Sequence, residues 1–149
     1  MKKLALIMLA VVSMALVSCG GGNSDVKLAD PAVTYKHSTL DSYVDISVKI
    51  NSFDVKASGD DKNIIVSAKI ELTDKDFRDI DHAFAKAQLL NENEEVVVES
   101  YKEKLKIKKI GEVGLFSVEI TPEKDLPASK TLNQVKYIRF VDVYGWAWD

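Results

Sequence analysis

Cys19 is the only cysteine in this chain of 149 residues, and its position gives it a chemistry. It follows Met1-Lys2-Lys3, then an apolar run from Leu4 to Val17, about fourteen residues interrupted weakly by Ser13, then the small residue Ser18. A lone thiol cannot close an intramolecular disulfide. The run is short for a membrane span, which needs ~20 residues. Its basic start and small-residue end are those of a secretory signal segment, with Lys2 and Lys3 held on the cytoplasmic side.

Other residues that could do chemistry are sparse. The two histidines are His37, in a polar N-terminal stretch, and His82, near the start of an expected strand beside Asp79 and Asp81. Neither has a serine or cysteine in a nucleophile setting, and no carboxylate pair stands out as a general acid and base. Asp74, Asp76, Asp79 and Asp81 form an acidic bend of the kind calcium can use. No glycine lets that bend wrap tightly, however, and Lys75 and Arg78 sit among the acids. Zinc would need nitrogen or sulfur ligands that the chain cannot cluster. The expectation is no metal and no cofactor. At the C-terminus, Tyr144, Trp146 and Trp148 would share one face of an extended segment. Such a row either recognises a sugar ring or a partner protein, or covers the edge of a sheet.

The sequence Leu16-Val17-Ser18-Cys19 behind its apolar run resembles the lipobox of bacterial lipoproteins. That resemblance implies cleavage before Cys19, with Leu16, Val17 and Ser18 as the signal-peptidase motif and Cys19 acylated as the new first residue. Two acyl chains anchor stably where one does not. Acylation would leave no thiol for catalysis or metal binding. Gly20 stands where inner-membrane lipoproteins of enteric bacteria carry aspartate, so the resemblance implies the outer membrane. The glycine-rich start with a following acid is similar to surface-exported lipoproteins. An uncleaved anchor helix, or a secreted protein with an incidental cysteine, is the alternative.

Composition sets further bounds. The formal charge is −3, from 20 basic and 23 acidic residues, and removing Lys2 and Lys3 leaves 18 against 23, or −5. A mildly acidic, evenly mixed chain argues against nucleic acid as a partner and against a basic patch holding it to lipid headgroups. Residues 1–18 read as signal peptide and 19–40 as a flexible linker beginning Cys19-Gly20-Gly21-Gly22-Asn23-Ser24. A coil of that length reaches roughly 25 Å. Residues 41–149 are long enough for one core without staples.

Within 41–149 the hydrophobic period is two. Val44, Ile46, Val48 and Ile50 share a face; Asn51-Ser52 breaks the pattern, and Phe53, Val55 and Ala57 resume it. Ser58 to Asn63 is a turn cluster. Ile64, Val66, Ala68, Ile70 and Leu72 form the clearest strand. Thr73 to Leu90 admits a helix, opened by the capping box Thr73–Asp76 with Phe77, Ile80, Phe84 and Ala87 at helical spacing, but a strand over Ala83–Leu90 with the turn Asn91–Glu94, after a short loop or helical turn near Asp76–Ile80, explains both flanks. Glu95 to Ile107 alternates, with Lys102 to Lys109 expected as a solvated strand face. Leu115 to Ile120 is a strand, Thr121 to Lys130 with Pro122 and Pro127 is mostly loop, and Val135 to Val143 is the last strand. Its expected faces are Tyr137, Arg139, Val141 and Val143 against Ile138, Phe140 and Asp142. About seven strands at this spacing favour an antiparallel sandwich.

Ala68 to Ile80, followed by Ala87 to Val97, resembles the bacterial FxLYD-type immunoglobulin-like domains. That family implies an immunoglobulin-like β-sandwich and no shared activity. The expectation is therefore an all-β, immunoglobulin-like antiparallel sandwich behind a signal peptide and tether. Its role would be that of a non-catalytic envelope binding or assembly module, partnered by membrane lipid through Cys19 and by another envelope protein or a glycan. An envelope hydrolase or its accessory subunit, and a structural or stress-related lipoprotein, are the alternatives.

Overall fold

The computed structural model describes residues 26–29, 42–123 and 126–147. They form nine strands and one short helix. The strands are β1 (Lys27–Leu28), β2 (Tyr43–Val44), β3 (Ile46–Ala57), β4 (Ile64–Lys75), β5 (His82–Leu90), β6 (Val96–Glu99), β7 (Glu103–Leu105), β8 (Val113–Ile120) and β9 (Tyr137–Trp146), with α1 (Ala128–Leu132) before β9. Among the described residues no helix is long and apolar enough to cross a membrane.

Alternation builds the two layers. β4 turns Ile64, Val66, Ala68, Ile70 and Leu72 inward, all buried, and pairs antiparallel with β3 on one side and β8 on the other. β5 turns Ala83, Ala85, Ala87 and Leu89 inward and pairs antiparallel with β9. The smaller sheet is ordered β3-β4-β8. The larger is ordered β1-β9-β5-β6, with β2 also on β9 and β7 also on β5. The inner faces share one core, in which Phe116 of β8 meets Phe140 of β9 edge to face. The chain crosses between sheets from β4 to β5 and from β8 to β9. β3, β4 and β8 thus form one layer of an all-β sandwich, and β5 and β9 the centre of the other.

Several details depart from the sequence reading. Asn51-Ser52 is a bulge rather than a break: β3 runs on through it, and the register shifts between Ile50 and Ser52. The inward set therefore moves from even to odd residues, as one inserted residue requires. Thr73 to Lys75 extend β4, so the helical alternative is not taken up there. The expected strand from Glu95 to Ile107 divides into β6 and β7. Within the stretch read as linker, Lys27 and Leu28 pair in parallel with Tyr137 and Ile138, and Val26 is buried. The segment read as loop to Lys130 turns helical at Ala128. Pro127 takes the N-cap position with extended backbone and cannot cap with its own side chain. Asp61, in the β3–β4 turn, caps the helix instead: its carboxylate accepts from the Ser129 N–H and Oγ–H, both at 2.8 Å.

Candidate functional site

The outer face of the larger sheet concentrates aromatic and charged side chains. In β5 the residues alternating with the inward alanines are His82, Phe84, Lys86 and Gln88. In β9, Arg139 and Val141 face outward. A bulge follows, with Asp142 in the left-handed region at φ 51° and a register shift opposite Phe84–Lys86. The extra residue reverses the alternation, so Val143 and Gly145 turn inward and Tyr144 and Trp146 outward. Val143 is fully buried, which corrects its expected place beside Arg139 and Val141.

The bulge sets Tyr144 opposite Phe84, and β2 adds Tyr43 opposite Trp146. Ring centroids lie 4.6 Å apart for Tyr43–Tyr144, 5.2 Å for Tyr43–Trp146 and 5.3 Å for Phe84–Tyr144. These are ordinary aromatic packing distances. His82 meets Phe84 edge-on at 4.9 Å. Lys102 lies over this cluster. Its Nζ donates to the Tyr144 hydroxyl at 3.0 Å and stands 5.3 Å from that ring's centre and 5.9 Å from the Phe84 ring. The bond to Tyr144 raises the Lys102 pKa, and burial raises that of Tyr144. Around neutral pH the pair is therefore ammonium and phenol, with the cation held against the π faces.

Tyr144 is only 3 % exposed and Trp146 half-buried. The aromatic row is thus packing on this face rather than an open row, as far as Trp146; Trp148 lies outside the described residues. Lys102 is not a plain solvated strand position, because its amine is engaged by Tyr144.

Beside the cluster is a shallow hollow of about 430 Å³ lined by Lys86, Glu99, Ser100, Tyr101, Lys102 and Asp142. Its shape follows from the gap between β6 and β7. There the Ser100 hydroxyl accepts the Ala87 N–H at 2.9 Å, and the Ser100 N–H donates to the Ala87 carbonyl at 2.8 Å. The edge stays attached to β5 while the next residue is thrown outward, leaving Tyr101 93 % exposed. Lys86 pairs with Glu99 at 3.0 Å, and Gln88 donates to the same carboxylate at 3.1 Å. The Lys86 contact is the larger reason that the Glu99 pKa is lowered. A carboxylate held ionised in this way is a poor general acid and a good acceptor. The hollow offers two ammonium donors, two carboxylates and an open ring face, a combination suited to polar recognition with stacking.

The other sequence candidates lie apart. Asp76 is engaged by Arg78, through its backbone N–H at 2.8 Å and its guanidinium at 3.3 Å, and Arg78 also donates to the Tyr43 carbonyl. Among the described residues no group of three or more His, Cys, Asp or Glu is placed to hold a metal ion. Burial is the main cause of the lowered His82 pKa. Cys19, Leu16, Val17, Ser18 and His37 lie outside the described residues. Tyr43, Phe84, Tyr101 and Asp142 were not singled out from the sequence. The nearest signal was the odd-even misfit of Val143 and Tyr144, since both are apolar enough to claim the inward side. Comparison with family models, with curated proteins and with solved structures found no match to the chain.

Proposed function

We propose that this protein is a lipid-anchored envelope lipoprotein whose β-sandwich serves as a non-catalytic binding or assembly module. The observation that carries the reading is Cys19, directly behind a fourteen-residue apolar run with two lysines before it. Residues 16–18 are the cleavage motif and the acylated Cys19 is the membrane contact. The partner is another envelope protein or a glycan, met on the outer face of the larger sheet.

The placement of β1 supports this geometry. Seven residue steps separate Cys19 from the buried Val26, at most ~25 Å of extended chain. β1 lies beside Tyr137, at the start of β9, and the aromatic cluster lies at its end, Trp146. The ten residues of β9 rise ~3.3 Å each, or about 30 Å in all. Val26 and Tyr137 thus mark one end of the sandwich and Tyr43, Tyr144 and Trp146 the other, which supports a reading in which the anchored end is not the aromatic one.

Two measurements test the reading. Mass spectrometry of the protein purified from native membranes is expected to find acylated Cys19 as its first residue; an intact, unmodified N-terminus would reject lipid anchoring. A photo-crosslinking residue at Tyr101 is expected to give a discrete heavier adduct in native envelopes, and the same residue at Phe77 none. Phe77 is the fitting control because it is 95 % exposed, much like Tyr101, yet is not among the residues that line the hollow. Equal adducts at both positions, or none at Tyr101, would remove the hollow as the binding surface.

A further inference from the structure

Every sheet edge presents unpaired backbone groups, and proteins ordinarily guard them with short strands, bulges, lysines or prolines. The edges of the larger sheet are guarded by length: β1, β2, β6 and β7 span two, two, four and three residues. β3, one edge of the smaller sheet, is long but carries two register shifts together with Lys49 and Lys56. β8, the opposite edge, has none of these devices. Its eight residues, Val-Gly-Leu-Phe-Ser-Val-Glu-Ile, contain no lysine or proline and pair with β4 without a bulge.

The phase of the ladder shows which groups are free. Just before β8, Gly111 (φ 92°) and Glu112 form a bulge opposite Leu72: the Gly111 N–H donates to the Leu72 carbonyl at 2.7 Å, and the Leu72 N–H donates to the Glu112 carbonyl at 2.9 Å, which fixes Glu112 as turned toward β4. Alternate pairs in an antiparallel ladder repeat that pattern, which turns the peptide groups of Gly114, Phe116, Val118 and Ile120 toward β4. Those of Val113, Leu115, Ser117 and Glu119 point off the edge and find no partner among the described residues. The side chains of the same four residues lie on the outer face, where Leu115 is 71 % exposed, with Val113 and Ile110 exposed beside it. Behind the strand, the end of β7 packs on the inner side at Gly114, where a Cβ would come within 2.8 Å of Ile107. The closing segment thus presses on the face of β8 and, among the described residues, leaves its edge open.

We propose that β8 is a self-association edge, and that two copies of this chain pair through it antiparallel to form a continuous six-stranded sheet, β3-β4-β8 joined to the partner's equivalent. A second copy is the occupant because it presents an edge of the same length and phase. In the twofold register centred on Phe116, Val113 faces Glu119 of the other copy, Leu115 faces Ser117, and all four outward peptide groups of each strand are satisfied. The only charge on this edge, Glu119, never faces itself, and the two Leu115 side chains become diagonal neighbours.

Sedimentation equilibrium of the full chain in density-matched detergent is expected to give twice the mass of one chain. Ser117→Pro removes an N–H that β4 does not use, and edge positions of this kind tolerate proline. It should weaken the dimer by about tenfold or more, the factor that one or two backbone hydrogen bonds carry, with the far-ultraviolet circular dichroism unchanged. Leu115→Lys, which touches no backbone group and restores the usual edge guard, should do the same and decides the matter if Ser117→Pro perturbs the fold. A single-chain mass throughout the concentration range would overturn the proposal, and so would a dimer of unchanged affinity in Leu115→Lys.

Discussion

Phe116→Ala is expected to lower the unfolding free energy by about 3–5 kcal/mol, the range for truncating a fully buried phenylalanine. Phe116 comes from the smaller sheet and Phe140 from the larger, and their rings meet at 5.3 Å with planes at 90°. Both are among the largest side chains with no exposure. The backbones on either side are locked into ladders, β8 on β4 and β9 on β5, so the walls cannot close over the missing ring and a cavity persists. Set against a typical total of ~5–15 kcal/mol, this is a large fraction of the stability. For a domain of about 100 residues it corresponds to a fall in Tm of roughly 15–30 °C. Phe140→Ala should behave alike. The double variant should lose less than the sum of the singles by at least ~0.5–1.5 kcal/mol, the edge-to-face contribution, because the second truncation only enlarges an existing void. Thermal and urea unfolding of the four proteins gives the whole cycle. A loss below ~1.5 kcal/mol for Phe116→Ala would mean that the two sheets can collapse toward each other, and that this ring pair does not hold them apart.

The parts of the fold legible in the sequence are those where apolar identity and period agree. From Ile64 to Leu72 every second residue is strongly apolar and every one is buried. The phase jump between Ile50 and Phe53 likewise marked the β3 bulge, although it read as an interruption. The β9 bulge left no such mark. Val143, Tyr144 and Trp146 can all occupy an inward position, and only the left-handed Asp142 decides which of them does. β1 was invisible because two residues have no period; its pairing is a tertiary fact about β9. Similarly, α1 has five residues, too few for a helical stripe, and its cap comes from Asp61 across the chain. The hollow could not be read because its members arrive from β5, the β6–β7 gap and a bulge. A lysine over two rings looks in sequence like any lysine on a strand. A pattern carried by contiguous residues is open to sequence reading; a constellation assembled across strands, such as Lys86, Glu99, Tyr101 and Asp142, is not.

Gly145→Ala is expected to destabilise the protein by about 1–3 kcal/mol, the cost of overpacking a filled core. A Cβ at this position would stand 2.8 Å from Ile80 Cγ2, 3.2 Å from Ile46 Cγ2 and 3.3 Å from Val44 Cβ. All three neighbours are buried and β-branched, with few rotamers to retreat into. They also come from three separate segments. Val44 and Ile46 flank Asp45, where the chain leaves β2 in the larger sheet for β3 in the smaller, and Ile80 closes the approach to β5. A wedge at Gly145 therefore pries at the corner where the two sheets exchange a strand. Alanine would ordinarily gain ~0.4–1 kcal/mol by restricting the unfolded chain, and that gain is too small to offset the clash. The mechanism has a sharp signature. In an Ile80→Ala background the nearest obstacle is gone and only the milder contacts with Ile46 and Val44 remain, so Gly145→Ala should there cost clearly less, a dependence that loss of backbone freedom alone cannot produce. The outer face responds as well, because Tyr144 and Trp146 flank Gly145 on the strand and pack on Tyr43. Displacing β9 should loosen that packing and shift the tryptophan emission to longer wavelength while the protein is still folded. A Gly145→Ala protein with wild-type Tm and unchanged emission would show that the corner yields, and that the aromatic end of the sandwich is not held in place by the core beneath it.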